Sequence, residues 1–197
     1  MSWLQNLFLK ISRNWILFVV MLVANFASFT ILFALEDQFE ALAGIPVYDT
    51  QNALTTAQIL EQLPLYQGEA LNAYLRFAAF DFVFPLVSAI FIAVICTLLL
   101  RLNRLKIAQT LLRWRLPLVV LLITLFDYLE NVGLLTVLAA APAPDAAVMN
   151  FALVFKQLKL AGLALTGPLV GILVALLIAD VARRVLNRPG RVTPQEA

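Results

Sequence analysis

From Trp15 to Leu35 the chain runs for 21 residues without a charge. About 20 helical residues are enough to cross a hydrocarbon core roughly 30 Å thick. Three further apolar runs follow, and the spans are predicted at residues 15–36, 78–100, 116–140 and 154–182. Lipid offers no partner to a backbone N–H or C=O, so only helices and closed barrels cross it. The runs lack the two-residue alternation of barrel strands, which leaves helices. With 62% of residues hydrophobic and 13% charged, and a mean hydropathy of +0.92, no soluble module fits beside them. The expectation is an all-α integral membrane four-helix bundle, one domain over 1–197, with short interfacial helices.

The residues that are missing narrow the chemistry. The sequence holds no His and a single Cys, Cys96. A His-ligated haem, a His-containing zinc site and a Ser-His-Asp triad are excluded, as are an intrachain disulfide and a CxxC redox pair. No metal and no cofactor is expected. A net charge of +2 gives no footprint for nucleic acid. Cys96 itself reads as a small buried apolar side chain.

Charge distribution sets the orientation. Lys10 and Arg13 precede the first span, Arg101, Arg104, Lys106, Arg113 and Arg115 fall in the connection 101–115, and Arg183, Arg184, Arg188 and Arg191 fall in the tail 183–197. Those are 11 of the 14 basic residues, and the positive-inside rule places them in the cytoplasm with both termini. The opposite face is acidic, with Glu36, Asp37, Glu40, Asp49, Glu61, Glu69 and Asp145. The first span is too long for a signal-peptide core and is expected to stay as an anchor. The predicted location is a bacterial inner membrane, with membrane lipids and other membrane subunits as partners.

Several connecting segments have helical signals of their own. Trp3, Leu4, Leu7, Phe8 and Ile11 share a face before the first span, as in a helix lying in the interface. Leu105, Ala108, Leu111 and Leu112 give the basic connection a similar stripe, suited to anionic headgroups. In the outer segment 37–77, Thr55-x-x-Gln58 matches a capping box opening a short helix that Pro64 ends. Gly68 to Phe77 reads as a helical lead-in to the second span, and Ala139–Ala147 as a tight turn.

An ionisable group deep in a span costs at least ~2.5–3.5 kcal/mol, so each one needs a reason. Asp127 lies twelve residues past Arg115, roughly 18 Å along a helix rising ~1.5 Å per residue. Glu130 and Asn131 follow one turn later. Two carboxylates so close in low dielectric do not both ionise uncompensated. Either one holds a proton, which suits acid/base chemistry, or Lys156 or Lys159 reaches them, which suits a static core. Asn25 with Ser28 on the first span reads as interhelical glue, while Asp81, Pro85 and Ser88 share a face of the second. Pro85 has no N–H to give the carbonyl of residue 81. Arg76 reads as lying outside the bilayer. On the fourth span Gly167-x-x-x-Gly171 reads as a packing face, either within the bundle or in a dimer, and Asp180 as pairing with Arg183 and Arg184. The candidate polar cavity is therefore Asn25, Asp81, Asp127, Glu130, Asn131, Lys156 and Lys159, floored by Asp127, Glu130 and Asn131, with Asp127 and Glu130 as the catalytic candidates.

Three stretches carry a resemblance. Ala73–Phe77 (A-Y-L-R-F) leading into Phe80–Leu86 (F-D-F-V-F-P-L), the D-x-x-E-N cluster in Phe126–Asn131, and Phe155–Lys159 (F-K-Q-L-K) are similar to a family of uncharacterised bacterial four-span membrane proteins. That resemblance implies topology rather than activity. At the level of fold the chain also resembles EXPERA-type proteins, four-span bundles with acidic residues around an intramembrane ligand cavity. With no His here and no alignment of the acids, their isomerase activity is not carried over. The expected function is binding of a lipid or other apolar ligand, or service as an accessory subunit. Against it stand an enzyme acting on a lipid-like substrate through Asp127 and Glu130, and a proton-coupled carrier.

Overall fold

The computed structural model describes residues 2–186, and these form helices and turns with no strand. Arg188 and Arg191, part of the expected basic tail, lie outside the described residues. Eight α-helices follow in order: α1 Ser2–Arg13, α2 Trp15–Ala43, α3 Thr56–Gln62, α4 Gly68–Asp81, α5 Phe84–Leu102, α6 Lys106–Arg113, α7 Leu121–Ala139 and α8 Ala146–Leu186. Four stretches are long and apolar enough to span a membrane: α2, α4 with α5, Leu116–Ala139, and α8. Val20, Val23 and Phe26 on α2, and Leu165, Ile172 and Ile178 on α8, are exposed. Apolar exposure on this scale fits lipid as the neighbour. The chain is a multi-pass helical membrane protein.

Helix ends follow their local chemistry. Asn14 separates α1 from α2 and caps α2, its Oδ1 accepting from the N–H groups of Ile16 at 3.0 Å and Leu17 at 3.3 Å. The helix does not stop near residue 36, because Glu36-Asp37-Gln38-Phe39-Glu40 contains no breaker. It runs to Gly44, whose φ of +73° closes it in the left-handed conformation. At 29 residues α2 is ~44 Å long by its rise per residue, so it outreaches the hydrocarbon core by more than two turns. The last helix likewise starts at Ala146, and Pro168 sits inside it without ending it.

The second span is broken. Helix α4 ends at Asp81 and α5 starts at Phe84, with Pro85 near its first turn where a missing N–H is harmless. The carbonyls freed at this break are claimed from α7. The Tyr128 hydroxyl donates to Phe82 O at 2.6 Å, Thr124 Oγ1 to Pro85 O at 3.1 Å, and Asn131 Nδ2 to Asp81 O at 3.5 Å. Positions 124, 128 and 131 fall on one helical face, so a polar stripe on α7 satisfies a Pro-induced break on its neighbour.

At the basic end, α1 lays Phe8 and Ile11 against Ala93 and Val94 of α5 and leaves Trp3 64% exposed. Arg101 donates to Ser12 O at 2.7 Å and Gln5 to Leu112 O at 2.8 Å. Cys96 is buried with Leu100, Ala108 and Leu173. Asp180 pairs with Arg184 but not Arg183, and its Oδ2 also accepts the Arg104 N–H at 2.8 Å. The opposite end is a small aromatic core. The Thr55–Gln58 capping box forms and α3 ends at Gln62 ahead of Pro64. Tyr48 and Tyr66 stack at 4.2 Å between centroids, with Phe39, Tyr74 and Phe77 around them. Burial pushes the Tyr48 and Tyr66 phenols above their ordinary pKa, so both serve as neutral hydrogen-bonding groups.

Within the described fold, Gly133 and Gly162, rather than Gly167 and Gly171, let helices approach. A Cβ on Gly167 or Gly171 would meet nothing within 4 Å, so that face is open in the described fold. Close approach occurs at Gly133, where a Cβ would stand 2.8 Å from the Ala152 Cβ, and at Gly162 against Ile123. These glycines seat α7 on α8.

Candidate functional site: a buried charge cluster beside a lateral cavity

Six buried ionisable side chains meet where α4, α7, α8 and the 46–50 segment converge: Asp49, Asp81, Asp127, Glu130, Lys156 and Lys159. Lys156, 1% exposed, donates all three of its hydrogens. Its Nζ reaches Glu130 Oε1 at 3.0 Å, Tyr48 O at 2.9 Å and Asp49 O at 2.8 Å. Lys159 pairs with Asp127 Oδ1 at 3.0 Å and with the second oxygen of Glu130. The sequence left open a shared proton or a lysine on the Asp127–Glu130 pair, and the geometry has both lysines there. Glu130 is 0% exposed and has an ammonium on each oxygen. It holds the core together and has no open side from which to handle a substrate proton.

Asp81 and Asp49 pair with no cation among the described residues. Asp81, 5% exposed, accepts from Asn131 Nδ2 at 2.9 Å, and the same amide lies 3.5 Å from Asp127 Oδ2. Asp49, 8% exposed, accepts from the Tyr74 hydroxyl at 3.1 Å through one oxygen, while the other is buried without a partner. Four carboxyl groups thus face two lysines. Asp49 was expected only as one of several acids on the outer face. Its signal in the sequence was slight: it follows Pro46-Val47-Tyr48, an apolar approach that carries it inward rather than into solvent.

Beside the cluster lies a cavity of about 510 Å³. Asn25, Asp81, Asp127 and Lys159 line it, as expected from the sequence. Glu130, Asn131 and Lys156 do not; they stand behind its wall, so the floor is not the expected polar one. Asp49, Thr50 and Asn52 from the segment after α2 border one end, where Asp81, Asp127 and Lys159 also sit. The other end is apolar, made by Phe91, Ile92, Val120, Ile123, Leu160 and Leu163. Between them Ser88 donates to Asn25 Oδ1 at 2.8 Å, the one side-chain bond that ties α2 to α5 across the cavity wall. Arg76 is exposed and takes no part.

Helix α5 packs against α2, α7 and α8, whereas α2 and α8 are not extensively packed on one another. Both contribute lining residues, and Phe29 on α2 and Leu163 on α8 are each nearly half exposed. No family model, no curated protein and no solved structure matches this chain.

Proposed function

We propose that this protein takes up one membrane-soluble amphiphile in the lateral cavity. The observation that carries the reading is a cavity lined by Asp81, Asp127 and Lys159 as well as by the apolar Phe91, Ile123 and Leu163, with α2 and α8 only sparsely packed beside it. Its volume falls within the roughly 300–1,000 Å³ of small-ligand sites. A slim molecule with one chain or ring system fits, its apolar body along Phe91, Ile123 and Leu163 and its polar end at Asp81, Asp127 and Lys159. The likeness to EXPERA-type bundles agrees with this reading as analogy only. An acid/base enzyme has less support, because Glu130 is sealed between two lysines. A proton-coupled carrier lacks the internal repeat that such folds are built on.

Native mass spectrometry after gentle extraction tests the reading. The wild type is expected to carry a bound amphiphile, and Ala89→Phe, which fills the cavity from α5, to lose it while keeping its melting temperature. A wild-type protein that emerges with nothing bound sinks the proposal.

The orientation belongs to the same proposal. The basic end, with Arg13, Arg101, Arg104, Arg113 and Arg183, lies in the cytoplasm of a bacterial cell by the positive-inside rule. In a Cys96→Ser background, Asn52→Cys is expected to react with an impermeant maleimide on intact cells and Gln109→Cys only after lysis. The reverse pattern inverts the topology.

A further inference from the structure

At the basic end, away from the cavity, α6 and the end of α8 enclose a groove of about 730 Å³. Arg104, Lys106, Arg183 and Arg184 line it, together with Leu105 and Ile107 and a single acid, Asp180. Asp180 does not neutralise the groove. It is 3% exposed, and one of its oxygens is already committed to the Arg104 N–H and the Arg184 guanidinium. Three cationic side chains are left without an acidic partner among the described residues.

The backbone adds to the field. Helix α6 has eight residues and begins in the groove at Lys106, with no side chain capping it. Its first internal bond runs from Gln109 N–H to Leu105 O. The N–H groups of Lys106, Ile107 and Ala108 therefore bond to nothing among the described residues. Free N–H groups at the positive end of a helix, ringed by Arg and Lys, make an anion site of tetrahedral-oxyanion type. Arginine suits phosphate in particular, because its planar fork gives two parallel hydrogen bonds. Ile107, more than half exposed, borders the same groove with apolar surface, so the anion is presented beside a lipid-facing side chain.

We propose that this groove seats the phosphate of an acidic phospholipid headgroup from the adjoining leaflet. The phosphate caps α6 and bridges Arg104 and Lys106 to Arg183, tying the connection between α5 and α7 to the end of α8. The site is independent of the cavity ligand.

The test uses the whole protein in nanodiscs of dioleoylphosphatidylcholine, with dioleoylphosphatidylglycerol added in one arm and inorganic phosphate in another. Phosphatidylglycerol is expected to raise the melting temperature and to be retained in native mass spectra at least ten-fold over phosphatidylcholine. Arg104→Gln/Lys106→Gln/Arg183→Gln is expected to abolish that preference; Arg184 is kept because it pairs with Asp180. Equal retention of the two lipids overturns the proposal, as does an unchanged preference in the triple variant. An equal stabilisation by inorganic phosphate alone overturns the lipid as the source. Should the triple variant fail to fold, Lys106→Gln alone carries the test, with at least a three-fold loss of preference expected and no loss counting against the site.

Discussion

Lys156→Met is expected to be among the most damaging single substitutions in this chain, costing about 3–5 kcal/mol, as removal of one partner of a buried ion pair does. The lysine is the common donor to Glu130 and to the carbonyls of Tyr48 and Asp49. Without it Glu130 keeps only Lys159, the Asp49 carbonyl loses its donor and the Tyr48 carbonyl keeps only the Gln51 N–H. In detergent the melting temperature should fall by on the order of 10 °C, given ~2–4 °C per kcal/mol for a chain of this size. The damage belongs mainly to the stranded carboxylate, so Lys156→Met/Glu130→Leu should recover much of it. A double variant no more stable than the single one would mean that the carbonyl clamp, rather than the ion pair, carries the stability.

The second large effect is expected at Gly133. A Cβ there would stand 2.8 Å from the Ala152 Cβ and 3.0 Å from its Cα, and backbone cannot rotate aside as a side chain can. Gly133→Leu should cost at least the ~1–3 kcal/mol of an overpacked core. Because Gly133 is one turn from Glu130, pushing α7 off α8 also stretches the Glu130–Lys156 pair. Gly167→Leu on the same final helix meets open space and should leave the melting temperature unchanged or slightly raised, since Leu is the better helix former. Equal losses at the two glycines would show that the open face of α8 is covered by another molecule.

The contrast between these glycines shows what the sequence carried and what it did not. Four apolar runs announce four spans because hydrocarbon leaves the backbone no alternative to a helix. Capping at Thr55 is equally local and legible, whereas the break before Pro85 divides a span that was expected to run unbroken over 78–100. Asp127 and Glu130 were legible as buried polar residues, since each violates the cost of burial alone. Asp81, Lys156 and Lys159, at the ends of their runs, read individually as snorkelling to the interface, and the fold buries all three. Which residues face the cavity was not legible, because facing depends on helix rotation and crossing, set by packing far along the chain. Glu130 and Asp127 are three residues apart, yet one is sealed and the other lines the cavity. Asp49 was missed for a related reason. In a segment outside the spans an acid costs nothing to write, and only the fold carries it under the aromatic core.

The clamp made by Lys156 has a consequence for synthesis. The carbonyls it holds belong to residues 107 and 108 positions earlier in the chain, and the helix that bears it leaves the ribosome after α1 to α7. Until α8 inserts, the Tyr48–Asp49 turn has its local bonds, from Gln51 N–H to Tyr48 O and from the Tyr74 hydroxyl to Asp49, but not the Lys156 ammonium. That end of the cavity is completed only when α8 and its lysines arrive. Glu130 and Asp127 therefore gain their counter-charges, Lys156 and Lys159, only at that step.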